Sequence, residues 1–332
     1  MTSAPGLAAV VAAGAAALIA GCGSGSGSAA RTTTMGAAPA GTVATGRTTT
    51  GAAPAPPPSC GARGFGAGTA RHTLVSDGVG RSFRLELPPG YDGHHRLPLV
   101  LAFHGYQGSA DDFERSTGLE REGARRAVIV ATPDGVARQW NFVRRGAVGP
   151  DDVAFSARLV RLLEHDACAD SARVYATGIS DGGDMADTLA CALPATFAAV
   201  APVAASVSPV PCAPGSSVLE IHGTGDPIVP YEGGGGDRPP PFDGTEAQPV
   251  SRRMARWAAL NRCAAVPGRA AVASGVVRSL WRCPAGVAVE LLTIVGGGHT
   301  WPGGVPDPTL GATSTAISAN RAILRFFAAH RR

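Results

Sequence analysis

Between positions 173 and 183 the chain reads RVYATGISDGG, followed by DMADTLACAL. An apolar run breaks at Gly178, and a helix-compatible stretch begins just after Ser180. The spacing is G-x-S-x-G, and it predicts a strand, a sharp turn and a helix. A serine at the tip of such a turn takes a strained backbone, and a side chain two positions to either side would meet the neighbouring strand or helix. The first amides of the helix then face whatever negative charge develops at the serine. In a chain with 45 glycines the same pattern also fits a glycine-rich loop. The remaining sequence therefore has to supply a base, an acid and an oxyanion site.

Residues 7–20 carry no charged or polar side chain. Such a run is too short to span a bilayer as a helix but suits the apolar region of a secretory leader. It ends LIAGC at 18–22, similar to a bacterial lipobox, which implies cleavage before Cys22 and lipidation of that cysteine. Residues 1–6 contain no Arg or Lys, so only the terminal amine supplies positive charge there. The expectation is a signal peptide over 1–21 and a lipid anchor on the outer face of the membrane, with plain secretion as the alternative. Residues 22–68 are rich in Gly, Ser, Ala, Thr and Pro and hold a short duplication, RTTTMGAAPA at 31–40 and RTTTGAAPA at 47–55. A segment with so little to bury cannot offset its chain entropy and reads as a flexible tether.

The composition changes at about Thr69, and residues 69–332 are enough for one large catalytic domain. Net charge is +4, every one of the 29 basic residues is arginine, and no basic run is interleaved with aromatics. Nucleic acid is not an expected partner. Apart from Cys22 there are six cysteines, an even set that suits three disulfides in an exported protein. Fifteen connectivities are open. Pairing Cys191 with Cys212 and Cys263 with Cys283 closes short loops and leaves Cys60 with Cys168. There is no C-x-x-C, and metal binding is not expected.

Residues 81–87 alternate apolar and polar, as a half-exposed edge strand does. Residues 97–103 and 127–131 are continuously apolar and suit central parallel strands, with a polar helix over 111–126 between them. A helix over 151–165 follows, capped by Asp151 or Asp152. Further strands are expected at 197–203, 217–222 and 287–295, and further helices at 251–261 and 316–329. Strands alternating with helices predict an α/β fold, a mostly parallel sheet with helices on both faces and its ligand site at the carboxyl ends of the strands.

Two of those loops carry the missing groups. HGTGDP at 222–227 offers Asp226 as an acid, and GGGHTWPG at 296–303 offers His299 as a base. An Asp before Pro also starts turns readily, and a lone loop histidine is often incidental. Yet the order Ser180, Asp226, His299 is the nucleophile–acid–base order of the α/β-hydrolase plan. A serine hydroxyl is a weak nucleophile at neutral pH. Imidazole can take its proton and return it to the leaving group, and a carboxylate fixes the imidazole's tautomer. The backbone N–H groups of Asp181 and Tyr106 are the candidate oxyanion donors.

Taken with HGYQG at 104–108, PDG at 133–135, WN at 140–141, DDV at 151–153 and AAVAP at 198–202, these motifs resemble the polyhydroxybutyrate depolymerase and feruloyl esterase group. These are α/β-hydrolases of carbohydrate esterase family one type, with an esterase lipoprotein branch. The resemblance spans about residues 72 to 330. It implies cofactor-free hydrolysis of carboxylic esters, of short-chain acyl, hydroxyalkanoate or feruloyl type, through a Ser180–His299–Asp226 triad and an acyl-enzyme. It also implies substrate contacts from His104, Gln107, Trp140 and Trp301, with a packing role for either tryptophan as the alternative. One position departs from the group, which commonly has Asn after the serine where this chain has Asp181. A carboxylate facing a developing oxyanion would oppose it, so Asp181 is expected to face solvent or pair with an arginine. An acetyl-carbohydrate deacetylase or a peptidase on the same scaffold is the alternative, as is a non-catalytic surface-binding lipoprotein. The longest insertion, 233–250, is Gly/Pro-rich and reads as a mobile rim. Oligomeric state is not encoded legibly.

Overall fold

The structure is a computed structural model and describes residues 60, 64–142, 149–206, 212–239, 244–284 and 286–332. The leader, Cys22 and most of the tether lie outside the described residues. Cys60 is disulfide-bonded to Cys168. Phe65 packs edge-on against His72.

Ten strands form one sheet: β1 (Gly68–Ser76), β2 (Val79–Leu87), β3 (Leu97–Phe103), β4 (Ile129–Pro133), β5 (Ala169–Ile179), β6 (Ala199–Val203), β7 (Ser217–Gly223), β8 (Gly268–Ala273), β9 (Val276–Trp281) and β10 (Val289–Ile294). Their order is β1-β2-β4-β3-β5-β6-β7-β10-β9-β8. The six strands from β4 to β10 run parallel, and antiparallel pairs extend the sheet at both ends. Six helices cover it: α1 (Ala110–Thr117), α2 (Leu119–Ala124), α3 (Asp152–Asp166), α4 (Asp181–Ala192), α5 (Val250–Leu260) and α6 (Ala319–Ala328). This is the α/β-hydrolase arrangement.

Side-chain alternation divides the core in two. On β3, Leu99, Leu101 and Phe103 join α3, α4 and α5 on one face. Val100 and Ala102 join Phe113 of α1, Leu119 of α2 and Ile323 of α6 on the other. Each large apolar side chain so buried contributes about 1.5–3 kcal/mol. The C-terminal helix is pinned by Tyr175, which stacks on Phe327 and donates its hydroxyl to His330 O at 2.7 Å.

Three features differ from the sequence reading. The strand at 81–87 is not an edge, because β1 pairs outside it. The helix expected over 111–126 is two helices, broken at Gly118, whose φ of 64° caps the first. The β8–β9 hairpin adds two strands beyond β10.

Candidate active site

Ser180 follows β5 directly and has φ 58°, ψ −123°, the strained turn expected of its glycine flanks. Its N–H donates to Val203 O at 2.9 Å, which ties the turn to β6. A Cβ on Gly182 would lie 2.2 Å from Phe103 O, and one on Gly178 would lie 2.4 Å from Gly182 O. Any side chain there displaces the turn from β3, so the glycines are steric requirements.

Asp226 follows β7 and His299 follows β10. The two loops touch backbone to backbone: Gly225 N–H donates to Gly297 O at 2.8 Å, and a Cβ on Gly223 would lie 2.1 Å from that oxygen. The contact brings His299 Nδ1 to 2.8 Å from Asp226 Oδ2. Asp226 Oδ1 accepts from the N–H groups of Ile228 and Val229, at 2.9 and 2.8 Å, so the carboxylate cannot rotate away. Beneath it, His222 Nδ1 lies 2.9 Å from Glu220 Oε1, and its Nε2 lies 2.9 Å from Val229 O and 3.5 Å from Asp226 Oδ2. Buried Arg253 of α5 lies 2.6 Å from Glu220 through Nη2, an ion pair with poor hydrogen-bond alignment. Burial beside Glu220 pushes the neighbouring Asp187 carboxyl well above the usual carboxylate range.

Ser180, His299, Tyr106 and Asp181 line one cavity of about 240 Å³. Gly105, at the start of the Tyr106 loop, comes up against Ser180: a Cβ on it would lie 3.6 Å from Ser180 Cβ. Among the described residues no group of three His, Cys, Asp or Glu side chains is placed to hold a metal ion.

Asp181 corrects the expectation that it would face solvent or pair with an arginine. It is only 4 % exposed. Its Oδ2 accepts the Trp140 N–H at 2.9 Å, while Oδ1 is buried without a hydrogen-bond partner. Burial, with Asp184 and Asp152 nearby, pushes its carboxyl up to about 8. At neutral pH it is a neutral acid, close in shape and charge to the Asn common in the group.

The residues expected to contact substrate sit elsewhere. Trp140 is buried edge-on against Phe103 and donates its indole N–H to His104 O at 2.9 Å. Trp301 is buried against Phe113 and donates to Asn320 Oδ1. His104 accepts the Gly135 N–H on Nε2, which leaves Nδ1 to donate to Gly105 O, and burial lowers its pKa. It shapes the Tyr106 loop from behind. Gln107 is exposed, with its N–H on Arg138 O. None of the four lines the cavity. The lining residues that the sequence reading passed over include Phe142, Leu310 and Arg238. Phe142 was signalled only by its place beside Trp140 and Asn141, and Arg238 only as a cation within a Gly/Pro-rich insertion.

All six cysteines are paired, as Cys60–Cys168, Cys191–Cys212 and Cys263–Cys283. These crosslinks suit an extracellular protein.

The fold, with Ser180, Asp226 and His299 gathered at its strand ends, places the chain among the α/β-hydrolases. Residues 81–219 match the esterase PHB depolymerase family. NocK of Nocardia uniformis subsp. tsuyamanensis, named as an esterase, is 34% identical over 75% of this chain and 79% of its own length. Feruloyl esterase B of Piromyces equi is 30% identical over 66% of this chain. Feruloyl esterase C of Emericella nidulans is 33% identical over 50% of it. The matches span 42% and 64% of those two enzymes. Among solved structures, an acetyl xylan esterase from Aspergillus awamori superposes with a TM-score of 0.58 at 13% identity, over 78% of this chain and 99% of that one, a likeness of fold. The chain belongs to the esterase PHB depolymerase family.

Proposed function

We propose that the protein is an exported, lipid-anchored serine esterase in which Ser180, His299 and Asp226 form the catalytic triad. The observation that carries this reading is the Asp226–His299 bond opening onto the cavity that also holds Ser180 on its strained turn. Asp226 occupies Nδ1 of the imidazole, leaving Nε2 for the serine proton. Ser180 Oγ attacks the ester carbonyl carbon, and its proton passes to His299. The backbone N–H groups of Tyr106 and Asp181 hold the oxyanion. Collapse breaks the bond to the alcohol, which leaves with the proton from His299. Water then attacks the acyl-enzyme, giving one proton to His299, which returns it to Ser180 as the acid departs.

The apolar side of the cavity, Phe142, Ile179 and Leu310, fits a short acyl chain or an aryl group. The feruloyl esterases among its relatives favour feruloyl esters within that range. Hydrolysis of 4-nitrophenyl butyrate and methyl ferulate by wild type and Ser180→Ala tests the reading. A loss of about 10⁶ in kcat is expected; equal rates from the two proteins overturn it. Residues 1–21 act as the leader, and the residues from Cys22 to the Cys60 crosslink tether the domain to a lipidated Cys22. Cys22→Ala then moves the activity from the membrane fraction to the medium, and an unchanged distribution refutes the anchor.

A further inference from the structure

The catalytic cavity also contains a cation. Arg238, in the segment following the Asp226 loop, lines it together with Ser180 and His299. The segment is fixed: Asp237 N–H donates to Pro227 O at 2.7 Å, and Gly236 packs so closely on Ile228 O that a Cβ would lie 2.4 Å from it. Arg238 Nη1 donates to Thr245 Oγ1 at 2.8 Å, while its Nε is buried with no hydrogen-bond partner.

Two carboxylates act on this guanidinium, and both are engaged elsewhere. Asp184 accepts the Ser206 N–H at 2.7 Å and its hydroxyl at 2.5 Å. Asp226 holds the N–H groups of Ile228 and Val229 and the His299 ring. Their pull does not offset the burial, which holds Arg238 below its usual range. A fixed, half-buried arginine lining the cavity is a ready partner for a planar anion, because a guanidinium matches carboxylate geometry and carries the opposite charge. A neutral ester offers this guanidinium no counter-charge, and an ester bearing a carboxylate does.

We propose that Arg238 determines specificity by binding a carboxylate on the acid or the alcohol part of the ester, so that carboxylate-bearing esters are the preferred substrates. The inference rests on the esterase reading above. Matched pairs test it at pH 7. Mono-4-nitrophenyl glutarate against 4-nitrophenyl butyrate places the charge on the acyl side. 4-(Butanoyloxy)benzoate against 4-(butanoyloxy)benzamide places it on the alcohol side.

Wild type is expected to favour the charged member of at least one pair by about tenfold or more in kcat/KM, the scale of one charge-assisted hydrogen bond. Arg238→Gln brings that ratio towards one. Arg238→Lys restores part of it, since charge is kept and the fork lost. A wild-type ratio near one in both pairs overturns the proposal without any variant, as does a ratio that Arg238→Gln leaves unchanged. If Ser180-dependent hydrolysis of the neutral esters persists with a flat ratio, only the Arg238 assignment falls. If wild type hydrolyses none of the four, the esterase reading falls with it.

Discussion

Asp181 carries two loads on one residue: its backbone N–H is a proposed oxyanion donor, and its carboxyl is buried against the Trp140 N–H. The carboxyl is pushed up to about 8, against an ordinary 3.8, by burial and by the acidic neighbours Asp184 and Asp152. Below about pH 3.8 it is protonated in folded and unfolded chains alike. Between there and about pH 8 the folded chain keeps a proton that the unfolded chain has lost, so stability falls as pH rises through that window. Asp181→Asn removes the penalty. Its melting temperature should match wild type near pH 4 and exceed it increasingly up to about pH 8, as thermal melts across pH would show. Activity follows the same ionisation. Wild-type kcat/KM for a neutral ester should decline above about pH 8, where a charge appears beside the oxyanion, and Asp181→Asn should hold its rate further into the alkaline range. Coincident alkaline limbs for the two proteins would exclude this role. Ser180, Asp226 and His299 could be found in the sequence because each sits in a glycine-punctuated loop just after an apolar run. The burial of Asp181 could not, since it is created by Trp140, far away in the chain. The two tryptophans misled for a related reason: an indole beside a motif looks available to substrate until its N–H finds an internal acceptor.

At the scale of elements, the acid loop rests on a layer of charge between β7 and α5. His222 joins Glu220 on β7 to Val229 in the loop, and Arg253 from α5 balances Glu220. His222→Phe keeps the volume but releases Val229 and the loop that sets Asp226. A fall in kcat of about 10² with KM little changed is expected, the cost of a small misplacement of a catalytic group. Arg253→Met leaves the buried Glu220 carboxylate with His222 but without its arginine counter-charge and should cost about 3–5 kcal/mol in urea unfolding. Adding Glu220→Gln to that variant should recover part of the loss; no recovery would mean the ion pair is not the source. The strands that build this layer were legible as continuous apolar runs. Those at the sheet margins were not. β8 is Ala-rich and exposed along almost its whole length, and β1 exposes most of its residues, so neither shows the alternation that marks a strand with one buried face. The break at Gly118 was hidden because both helices are polar, and their separation depends on a left-handed residue rather than on hydrophobic period.

For the whole molecule, the crosslinks lie away from the chemistry. Cys168 immediately precedes β5, and Ser180 stands at the strand's other end, twelve residues on. The Cys60–Cys168 bond therefore fastens the domain at the end of β5 away from Ser180. It spans 108 residues, against 20 for Cys263–Cys283. If crosslinks act mainly by restricting the unfolded chain, the longer loop is worth about 1.5 kcal/mol more. Replacing Cys60 and Cys168 together by serine should then lower unfolding free energy more than replacing Cys263 and Cys283. The kcat of the Cys60/Cys168 variant for a simple ester should stay near that of wild type at a temperature where both are folded. Paired chemical denaturation and steady-state rates check both halves. A larger stability loss from the shorter loop would assign the stabilisation to local packing around Cys263 and Cys283 instead. A fall in kcat without any change in stability would mean that tension at the amino end of β5 reaches the turn that presents Ser180.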